Sequence, residues 1–174
     1  MIEIRKLVER DICSGFTAGV GSEKLDAFLQ LYAKQNNRRC TSATYVAVDE
    51  NKAIVGYTTI VPGAVSAPTL QGVVKGLPPV HPVPVLILAR MAVDAGSRQQ
   101  GIGTLLMQRL VFPRTLDLAT NYGCVGTYVD AKAGAVRFYV KHGFVTLVEA
   151  TADSTTQMFL PLTAARAALA AANP

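Results

Sequence analysis

One stretch of this sequence restricts the possible folds more than any other. Val85–Val93 is strongly apolar, and the segment that follows, Asp94–Leu110, reads DAGSRQQGIGTLLMQRL and ends with three leucines at helical spacing. This order predicts a buried strand, a loop and an amphipathic helix. Such an arrangement binds phosphate, because the backbone N–H groups of the loop and the first helical turn have no intrahelical acceptor. Gly101 and Gly103 let the backbone approach a ligand closely.

The glycine loop matches neither of the two common nucleotide-binding fingerprints. A P-loop needs Lys and then Ser or Thr after its second glycine, and a dinucleotide loop needs a third glycine where this chain has Leu106. The hexapeptide Arg98–Gly103, RQQGIG, instead resembles the acetyl-CoA signature of the GNAT N-acetyltransferases, Gln/Arg-x-x-Gly-x-Gly/Ala. This resemblance implies that the loop holds the pyrophosphate of coenzyme A. The alternative is an ordinary strand-to-helix turn whose glycines only provide tightness.

A second segment, Ala135–Phe144, reads AVRFYVKHGF and resembles the A-x-x-F-Y-x-x-x-G-F helix of the same family. It follows the glycine loop after one predicted helix and one predicted strand. Adjacent residues on a helix point about 100° apart, so one of the aromatic pair can face the core while the other faces a cofactor. The resemblance implies that Phe138 packs inside and that Tyr139 approaches the sulfur of coenzyme A. The alternative for Tyr139 is an aromatic residue at the core edge, with its hydroxyl in water.

The chain of 174 residues is long enough for a substantial core, and we predict a single domain over residues 1–174. No apolar run approaches the about 20 residues that a membrane span requires, and the first residues contain no apolar signal segment. We therefore expect a cytoplasmic protein that does not act at a membrane. Three widely spaced cysteines and two histidines indicate neither a disulfide framework nor a metal site.

The net charge of +5 is concentrated in the part of the chain that carries the glycine loop. Residues 53–145 contain eight Lys and Arg against three Asp, whereas residues 1–52 are nearly balanced. A basic excess suits a polyanionic ligand such as coenzyme A, and it also suits nucleic acid. A solvated basic face is the plain alternative.

Local patterns predict the helices. Apolar residues recur at helical spacing from Leu25 to Tyr32, so we predict an amphipathic helix that begins at its N-cap Ser22 and ends near Asn36. Pro113 should kink or end the helix that follows the glycine loop. Further helices are predicted at Ala133–His142, before an αL stop at Gly143, and in the alanine-rich tail Thr163–Asn173.

The remaining segments predict strands separated by turns. The Pro- and Gly-rich segment Pro62–Pro84 should be a long excursion with little regular structure. Strands are predicted at Ile2–Leu7, Thr44–Val48, Ile54–Val61, Val85–Val93, Val125–Val129, Phe144–Val148 and Gln157–Leu162. This order predicts an α+β fold with a mixed sheet. The resemblance implies the GNAT fold, with a mostly antiparallel central sheet splayed at the cofactor strand and helices on both faces.

Three further segments narrow the resemblance to the GNAT toxins of bacterial toxin–antitoxin modules. They are the N-terminal third from Phe16 to Arg39, the strand Pro82–Asp94, and the ending Met158–Leu162. The resemblance covers nearly the whole chain from Phe16 to Leu162. It implies acetylation of the α-amine of aminoacyl-tRNA, which stops translation, and neutralisation by an antitoxin with a ribbon-helix-helix DNA-binding part. It also implies a homodimer.

The site residues follow from this resemblance. Tyr139 is the expected catalytic residue, the proton donor to the departing thiolate. The residues expected to bind acetyl-CoA are Met91, Ala92, Val93, Arg98, Gln99, Gln100, Gly101, Ile102, Gly103, Thr104 and Phe138. The basic residues expected to contact tRNA phosphates are Lys34, Arg38, Arg39, Arg90, Arg137 and Lys141, for each of which plain solvated surface is the alternative.

The acids available to deprotonate an acceptor amine are few. Residues 53–145 contain only Asp94, Asp117 and Asp130. An α-amino group has a pKa of about 7.7–8.0, far below the about 10.4 of a lysine side chain, so a useful fraction is neutral without a strong base. The sequence therefore favours an α-amine acceptor, although a base from the N-terminal part or a relayed water stays open.

Two other functions are compatible with the sequence. The first is a GNAT enzyme that acetylates a small amine, an antibiotic or a protein N-terminus. The second is a regulatory domain that binds acetyl-CoA without catalysis. The sequence does not indicate which tRNA or aminoacyl group would be acetylated.

Overall fold

The computed structural model describes residues 1–150 and 155–172. Its strands form one seven-stranded sheet in the order β1-β2-β3-β4-β5-β7-β6. The strands are β1 (Glu3–Lys6), β2 (Ala43–Val48), β3 (Ile54–Val65), β4 (Val83–Val93), β5 (Gly126–Ala131), β6 (Val145–Val148) and β7 (Thr156–Pro161).

Antiparallel pairing dominates the sheet. Strand β2 pairs antiparallel with β1 and β3, and β7 pairs antiparallel with β5 and β6. The parallel pair is β4 with β5, whose register joins Leu86 to Thr127 and Ile87 to Tyr128. This parallel register is only two residue pairs long, whereas β4 continues to Val93. The predicted α+β class with a mixed, mostly antiparallel sheet is confirmed.

Helices occupy most of the predicted positions. They are α1 (Glu23–Ala27), α2 (Ala33–Arg38), α3 (Ala67–Leu70), α4 (Ile102–Leu106), α5 (Phe112–Asn121), α6 (Val136–Lys141) and α7 (Leu162–Ala172). Two π-helical turns, Phe28–Tyr32 and Met107–Val111, join α1 to α2 and α4 to α5. No helix among the described residues has the length and apolar character that crossing a bilayer demands.

The chain packs as two compact units. The first comprises Met1–Val61 and Ala89–Leu110. Its larger core cluster surrounds the fully buried Tyr57, whose ring lies against Phe16 and Phe28 at centroid distances of 5.5 and 6.3 Å. A smaller cluster in the same unit joins Ala47 and Val55 to Ile102 and Leu106. This second cluster anchors the helix that begins at the glycine loop.

The second unit comprises Pro62–Leu88 and the described residues of Val111–Pro174. Its core cluster contains Leu70, Val83, Val85 and Phe159, all of them almost completely buried. Strands β3 and β4 each contribute residues to both units. The predicted single domain over residues 1–174 stays a prediction.

The first helical segment differs from the prediction in two ways. The Ser22 side chain makes no capping hydrogen bond, and the amides of Leu25 and Asp26 bond to its backbone carbonyl instead. Tyr32, predicted to face the core, is 53% exposed, while Ala33 is fully buried. The π-helical turn explains this, because its wider turn carries more residues than an α-helical one and shifts the buried face by about one position.

Pro113 neither ends nor interrupts the helical run that starts at Ile102. It lies in the first turn of α5, directly after the π-helical turn Met107–Val111. A proline inside a regular helix would orphan a carbonyl and clash with the preceding turn. The wide π turn places Pro113 in the first-turn position that proline tolerates, so the prediction that the helix ends there is wrong, whereas the alternative prediction of a kink stays a prediction.

The excursion Pro62–Pro84 is more regular than predicted. Strand β3 extends to Val65, α3 follows at once, and β4 begins at Val83. The predicted helix at residues 133–142 is confirmed, starting as a 3-10 turn at Ala133–Ala135. The tail forms α7, whose Ala165 is fully buried, while residues 173–174 lie outside the described part.

Candidate active site

The glycine loop has a backbone conformation suited to an anion. Gln99 and Gly101 both adopt left-handed φ angles, 62° and 79°, on either side of Gln100. Gly101 is the N-cap of α4, so the amides of Ile102 and Gly103 fall in the first helical turn. Amides at these positions have no acceptor within the helix and point outward.

The start of α4 packs very closely on β3. A Cβ atom on Gly56 would lie 2.8 Å from Cγ2 of Ile102 and 3.3 Å from Cδ1 of Leu106. Met91 and Val93 pack at the edge of the same cluster. The backbone of the loop is therefore set by a contact that only glycine permits at position 56.

The residues just before the loop are tied to an N-terminal segment. The carboxylate of Asp94 accepts hydrogen bonds from the amides of Thr17 (3.1 Å) and Gly96 (3.0 Å). The guanidinium of Arg98 donates to the carbonyl of Ala18. Gly19, with φ 88°, leaves room for it, since a Cβ there would lie 3.3 Å from Nη2 of Arg98. The contacts to Thr17 and Ala18 were not predicted, because they join residues 77 and 80 positions apart.

These residues fit a diphosphate. The loop offers backbone amides, the exposed Arg98 guanidinium and the exposed side chains of Gln99 and Gln100. The acid nearest in sequence, Asp94, has both carboxylate oxygens engaged by backbone amides, which reduces its repulsion of an anion. Among the described residues, no group of three or more His, Cys, Asp or Glu could hold a metal ion.

In the second unit, α6 carries the predicted aromatic pair. Tyr139 is 6% exposed and lies between Phe138 and Phe144, with ring centroids 5.3 and 5.1 Å away. Phe138 is only half-buried. Tyr139 is therefore the more buried member of the pair, so the expectation that Phe138 packs inside is wrong for this structure, whereas the approach of Tyr139 to the sulfur of coenzyme A stays a prediction. Burial raises the pKa of the Tyr139 phenol above its ordinary value, because desolvation disfavours the phenolate.

His142 is a component of this aromatic cluster that the sequence did not single out. It is 8% exposed, its ring centroid lies 4.4 Å from that of Phe138, and its Nδ1 is 2.8 Å from the Phe138 carbonyl oxygen. A proton on Nδ1 would satisfy this carbonyl and leave Nε2 as the acceptor nitrogen. The sequence signal for this contact is the spacing of four residues between Phe138 and His142, which places the two side chains next to each other on a helix.

The three acids between residues 53 and 145 are all engaged. Asp94 holds backbone amides, Asp117 accepts from the Asn121 side chain at 2.8 Å, and Asp130 accepts from the Tyr128 hydroxyl at 2.8 Å. Burial and this Asp130 bond raise the pKa of Tyr128. A base role for any of these three carboxylates would compete with the hydrogen bond that it already accepts within the chain. This arrangement favours an acceptor amine that is partly neutral by itself.

The predicted tRNA-contacting residues have different environments. Lys34 donates to the carbonyls of Glu9 (2.7 Å) and Asp11 (2.6 Å), and Arg90 lies 3.8 Å above the Phe28 ring. These two side chains therefore support the N-terminal fold. Arg38 is exposed, 3.6 Å from Glu9. The other three basic side chains are exposed as well: Arg39, Arg137 and Lys141.

The fold and the glycine loop together define a class of protein. A mixed sheet that includes the parallel pair β4–β5, with a buried strand that leads through a glycine loop into a helix start, is an α+β architecture that suits an anionic ligand. Residues 40–146 match the family described as Acetyltransferase (GNAT) domain. The chain belongs to this family, as the two sequence motifs predicted.

The chain is similar to a toxin of known activity and to two solved structures of another protein, AtaT. A tRNA-acetylating toxin of Mycobacterium tuberculosis strain ATCC 25618 / H37Rv is 29% identical over 141 residues, 80% of this chain and 82% of that protein. AtaT complexed with acetyl-methionyl-tRNAfMet has a TM-score of 0.82 and 22% identity, covering 96% of this chain and 98% of AtaT. A tyrosine-to-phenylalanine mutant of AtaT, bound to acetyl-CoA and the C-terminus of the antitoxin AtaR, has a TM-score of 0.74 and 19% identity. This match covers 95% of this chain and 96% of that chain.

Proposed function

We propose that this protein is an N-acetyltransferase toxin that transfers the acetyl group of acetyl-CoA to the α-amine of aminoacyl-tRNA and thereby blocks translation. The observation that carries the proposal is the combination of GNAT membership with 29% identity to a tRNA-acetylating toxin over 80% of the chain. The complex of the structurally similar AtaT with acetyl-methionyl-tRNAfMet supports the same acceptor.

The glycine loop would hold the diphosphate of the donor. In this proposal the amides of residues 100–103 and the Arg98 guanidinium bind its oxygens, while Met91, Ala92 and Val93 line the acyl-bearing arm. Gln99, Ile102 and Thr104 complete the loop and the first turn. The left-handed φ angles of Gln99 and Gly101 support this assignment, because they turn successive amides towards one side.

Bound acetyl-CoA supplies a thioester that an amine can attack, with release of the thiol. The chain's own residues then stabilise charge and move one proton. Backbone amides of the 91–93 strand would donate to the oxygen that becomes negative. Tyr139 would donate its phenolic proton to the departing sulfur, with Phe138 holding the ring. Burial raises the pKa of Tyr139, so the phenol carries its proton at neutral pH, as a proton donor must, but the same shift makes it a weaker acid than an exposed tyrosine.

No side-chain base is assigned to the acceptor amine: the nitrogen, positively charged after the attack, releases its proton to water, and a proton from water restores the Tyr139 phenol. The α-amine of an amino acid ester has a lower pKa than a lysine side chain, so a fraction attacks without help. The tRNA phosphates would be contacted by Arg38, Arg39, Arg137 and Lys141. Lys34 and Arg90, which hold the N-terminal fold together, would support these contacts through that fold. Phosphate contacts of this kind predict an acceptor KM that rises steeply with salt.

The cellular setting follows from the same proposal. The protein acts in the cytoplasm as a homodimer of single 1–174 domains, and a cognate ribbon-helix-helix antitoxin neutralises it. The family match from residue 40 to residue 146 supports the single domain, because it runs through both compact units. The complex of AtaT with the C-terminus of AtaR supports neutralisation by a bound antitoxin.

A reconstituted translation system tests this function. Peptide synthesis should stop when the protein and acetyl-CoA are both present, and fresh aminoacyl-tRNA added after removal of the protein should restore it. Unimpaired synthesis with measurable acetyl-CoA turnover would instead indicate another acceptor, such as a small amine or a protein N-terminus. Binding without turnover would indicate a regulatory domain.

A further inference from the structure

The segment Phe16–Gly19, which we name the bridge segment, is hydrogen-bonded on two sides within the first unit. On one side lies the turn Asp94–Arg98 that opens into the glycine loop. On the other side lies α1, through the carboxylate of Asp26. The bridge segment therefore forms a physical link between the first helix and the entrance of the glycine loop.

Three contacts join the bridge segment to the turn. The Thr17 amide donates to Asp94 at 3.1 Å, and the Ala95 amide donates to the Thr17 carbonyl at 2.8 Å. The Arg98 guanidinium donates to the Ala18 carbonyl. Because Arg98 is the first residue of the RQQGIG loop, the position of Ala18 bears directly on the loop.

Two contacts join the bridge segment to α1, and both use the Asp26 carboxylate. One oxygen accepts the Thr17 hydroxyl at 2.9 Å, and the other accepts the Ala18 amide at 2.8 Å. The Thr17 hydroxyl oxygen in turn accepts the Gly19 amide at 3.2 Å. Hydrogen bonds to an ionised carboxylate are about twice as strong as neutral ones. Asp26 makes two of them to this segment, whereas Asp94 makes one.

Phe16, the first residue of the bridge segment, is fixed by its contacts in the core of the first unit. Phe16 is 2% exposed and packs edge-on against Tyr57, whose hydroxyl donates to the Leu25 carbonyl at 2.9 Å. The amide side chain of Gln30 donates to the Phe16 carbonyl at 3.0 Å. The contacts of Phe16 do not involve the Asp26 carboxylate, which holds the Thr17–Ala18 peptide instead.

We infer that Asp26 is a positioning residue for the acyl-donor loop, acting through Thr17 and Ala18 on Asp94 and Arg98. Asp26 has no place in the loop and is not proposed to touch either substrate. Without the Asp26 carboxylate the Thr17–Ala18 peptide can move. The Ala18 carbonyl is then no longer a fixed acceptor for Arg98, and the turn Asp94–Arg98 loses its contacts with Thr17. This inference rests on the proposed function, in which the glycine loop holds the diphosphate of coenzyme A.

Coenzyme A titrations of the full chain, together with thermal unfolding, test the inference. Asp26→Leu should weaken the affinity for coenzyme A about tenfold, the size expected for losing charge-assisted hydrogen bonds. Asp26→Asn should retain most of the affinity, because an amide can accept from the Ala18 amide and donate to the Thr17 hydroxyl. In turnover assays the loss should appear in the KM for acetyl-CoA and leave kcat nearly unchanged.

A matched control separates positioning from general stability. Asp11 lies in the same unit and forms a two-bond ion pair with Arg5 at 2.7 and 2.8 Å, with no contact to the bridge segment. Asp11→Leu should lower Tm at least as much as Asp26→Leu while leaving the affinity for coenzyme A unchanged. Equal losses of affinity in the two variants would overturn the inference.

A milder variant keeps the test valid if Asp26→Leu does not fold. Thr17→Val removes the hydroxyl that contacts Asp26 but retains both backbone contacts to the turn, so we expect about threefold weaker binding. Wild-type affinity in Thr17→Val when Asp26→Leu does not fold, or in both variants when it does, would overturn the inference while leaving the proposed function intact. Absence of coenzyme A binding by the wild-type protein would instead overturn the proposed function.

Discussion

Gly56 on β3 and Ile102 at the start of α4 approach each other so closely that a Cβ on Gly56 would lie 2.8 Å from Cγ2 of Ile102. The Ile102 methyl belongs to a β-branched side chain with little freedom to move aside. The backbone oxygen of Ala92, 3.3 Å from the same point, closes the opposite side. The start of α4 can therefore pack directly on β3 only because position 56 has no side chain.

Gly56→Ala should therefore destabilise the protein by about 1–3 kcal/mol, as overpacking of a tight core does. The displaced helix start should also weaken coenzyme A binding. Urea unfolding and coenzyme A titration measure the two effects. Gly15→Ala is the matched control, because a Cβ at Gly15 meets nothing within 4 Å. Equal behaviour of the two variants would show that the close packing does not set the loop.

Tyr139→Phe should retain the affinity for coenzyme A and lose about 10²–10⁴-fold in kcat, the range of a lost general acid. The phenylalanine ring preserves the packing against Phe138 and Phe144, so the loss reports the hydroxyl alone. Steady-state kinetics at saturating acetyl-CoA measure it. Tyr122→Phe, at a position 82% exposed, is the control with wild-type rate. Full turnover of Tyr139→Phe would remove Tyr139 from the mechanism.

Gln99 adopts a left-handed φ of 62°, a conformation that costs about 1–2 kcal/mol for a side chain with a Cβ. Gln99→Gly should relieve this strain and give a protein at least as stable, with coenzyme A affinity close to wild type. Gln99→Val should lose both stability and affinity, because a β-branched residue tolerates this φ least. Thermal unfolding with and without coenzyme A compares the pair. A valine variant that matched the glycine variant would contradict the assigned loop conformation.

The Arg5–Asp11 pair should make stability depend on acid pH. The two hydrogen bonds from Arg5 lower the pKa of Asp11 below its ordinary value, with the Val8 amide acting in the same direction. Stability from this group is full above the unfolded pKa of about 3.9 and is lost as the pH falls through the lower folded pKa. Asp11→Asn should thus cost about 1–3 kcal/mol at pH 7 and progressively less below about pH 4. A pH-independent difference in Tm would contradict this assignment.

Much of the fold was predictable from local patterns. The run Val85–Val93 and the αL stop at Gly143 each have a short-range cause, and the structure contains both. The two π-helical turns were not predictable, because a single extra residue per turn leaves no composition signal. Their consequences, the exposed Tyr32 and the tolerated Pro113, follow from that omission.

The candidate site likewise contains parts that could be predicted from the sequence and parts that could not. The RQQGIG loop and the Phe138–Tyr139 pair carry sequence motifs, so they were found without coordinates. The link from Asp26 through Thr17 to Asp94 carries none, because 77 residues separate Thr17 from Asp94 and polar residues in loops have many possible partners. The inward position of Tyr139 was also missed, since two adjacent aromatic residues on a helix do not indicate which one faces the core.

Transfer of labelled acetyl from acetyl-CoA to a pool of charged tRNAs tests the central claim most directly. Mild base releases the amino acids, and mass spectrometry locates the label. We expect N-acetyl amino acids whose α-nitrogen carries the label, formed by the wild-type protein and not by Tyr139→Phe. Label that stays on acetyl-CoA, or that reaches only uncharged tRNA, lysine side chains or free amines, would contradict it.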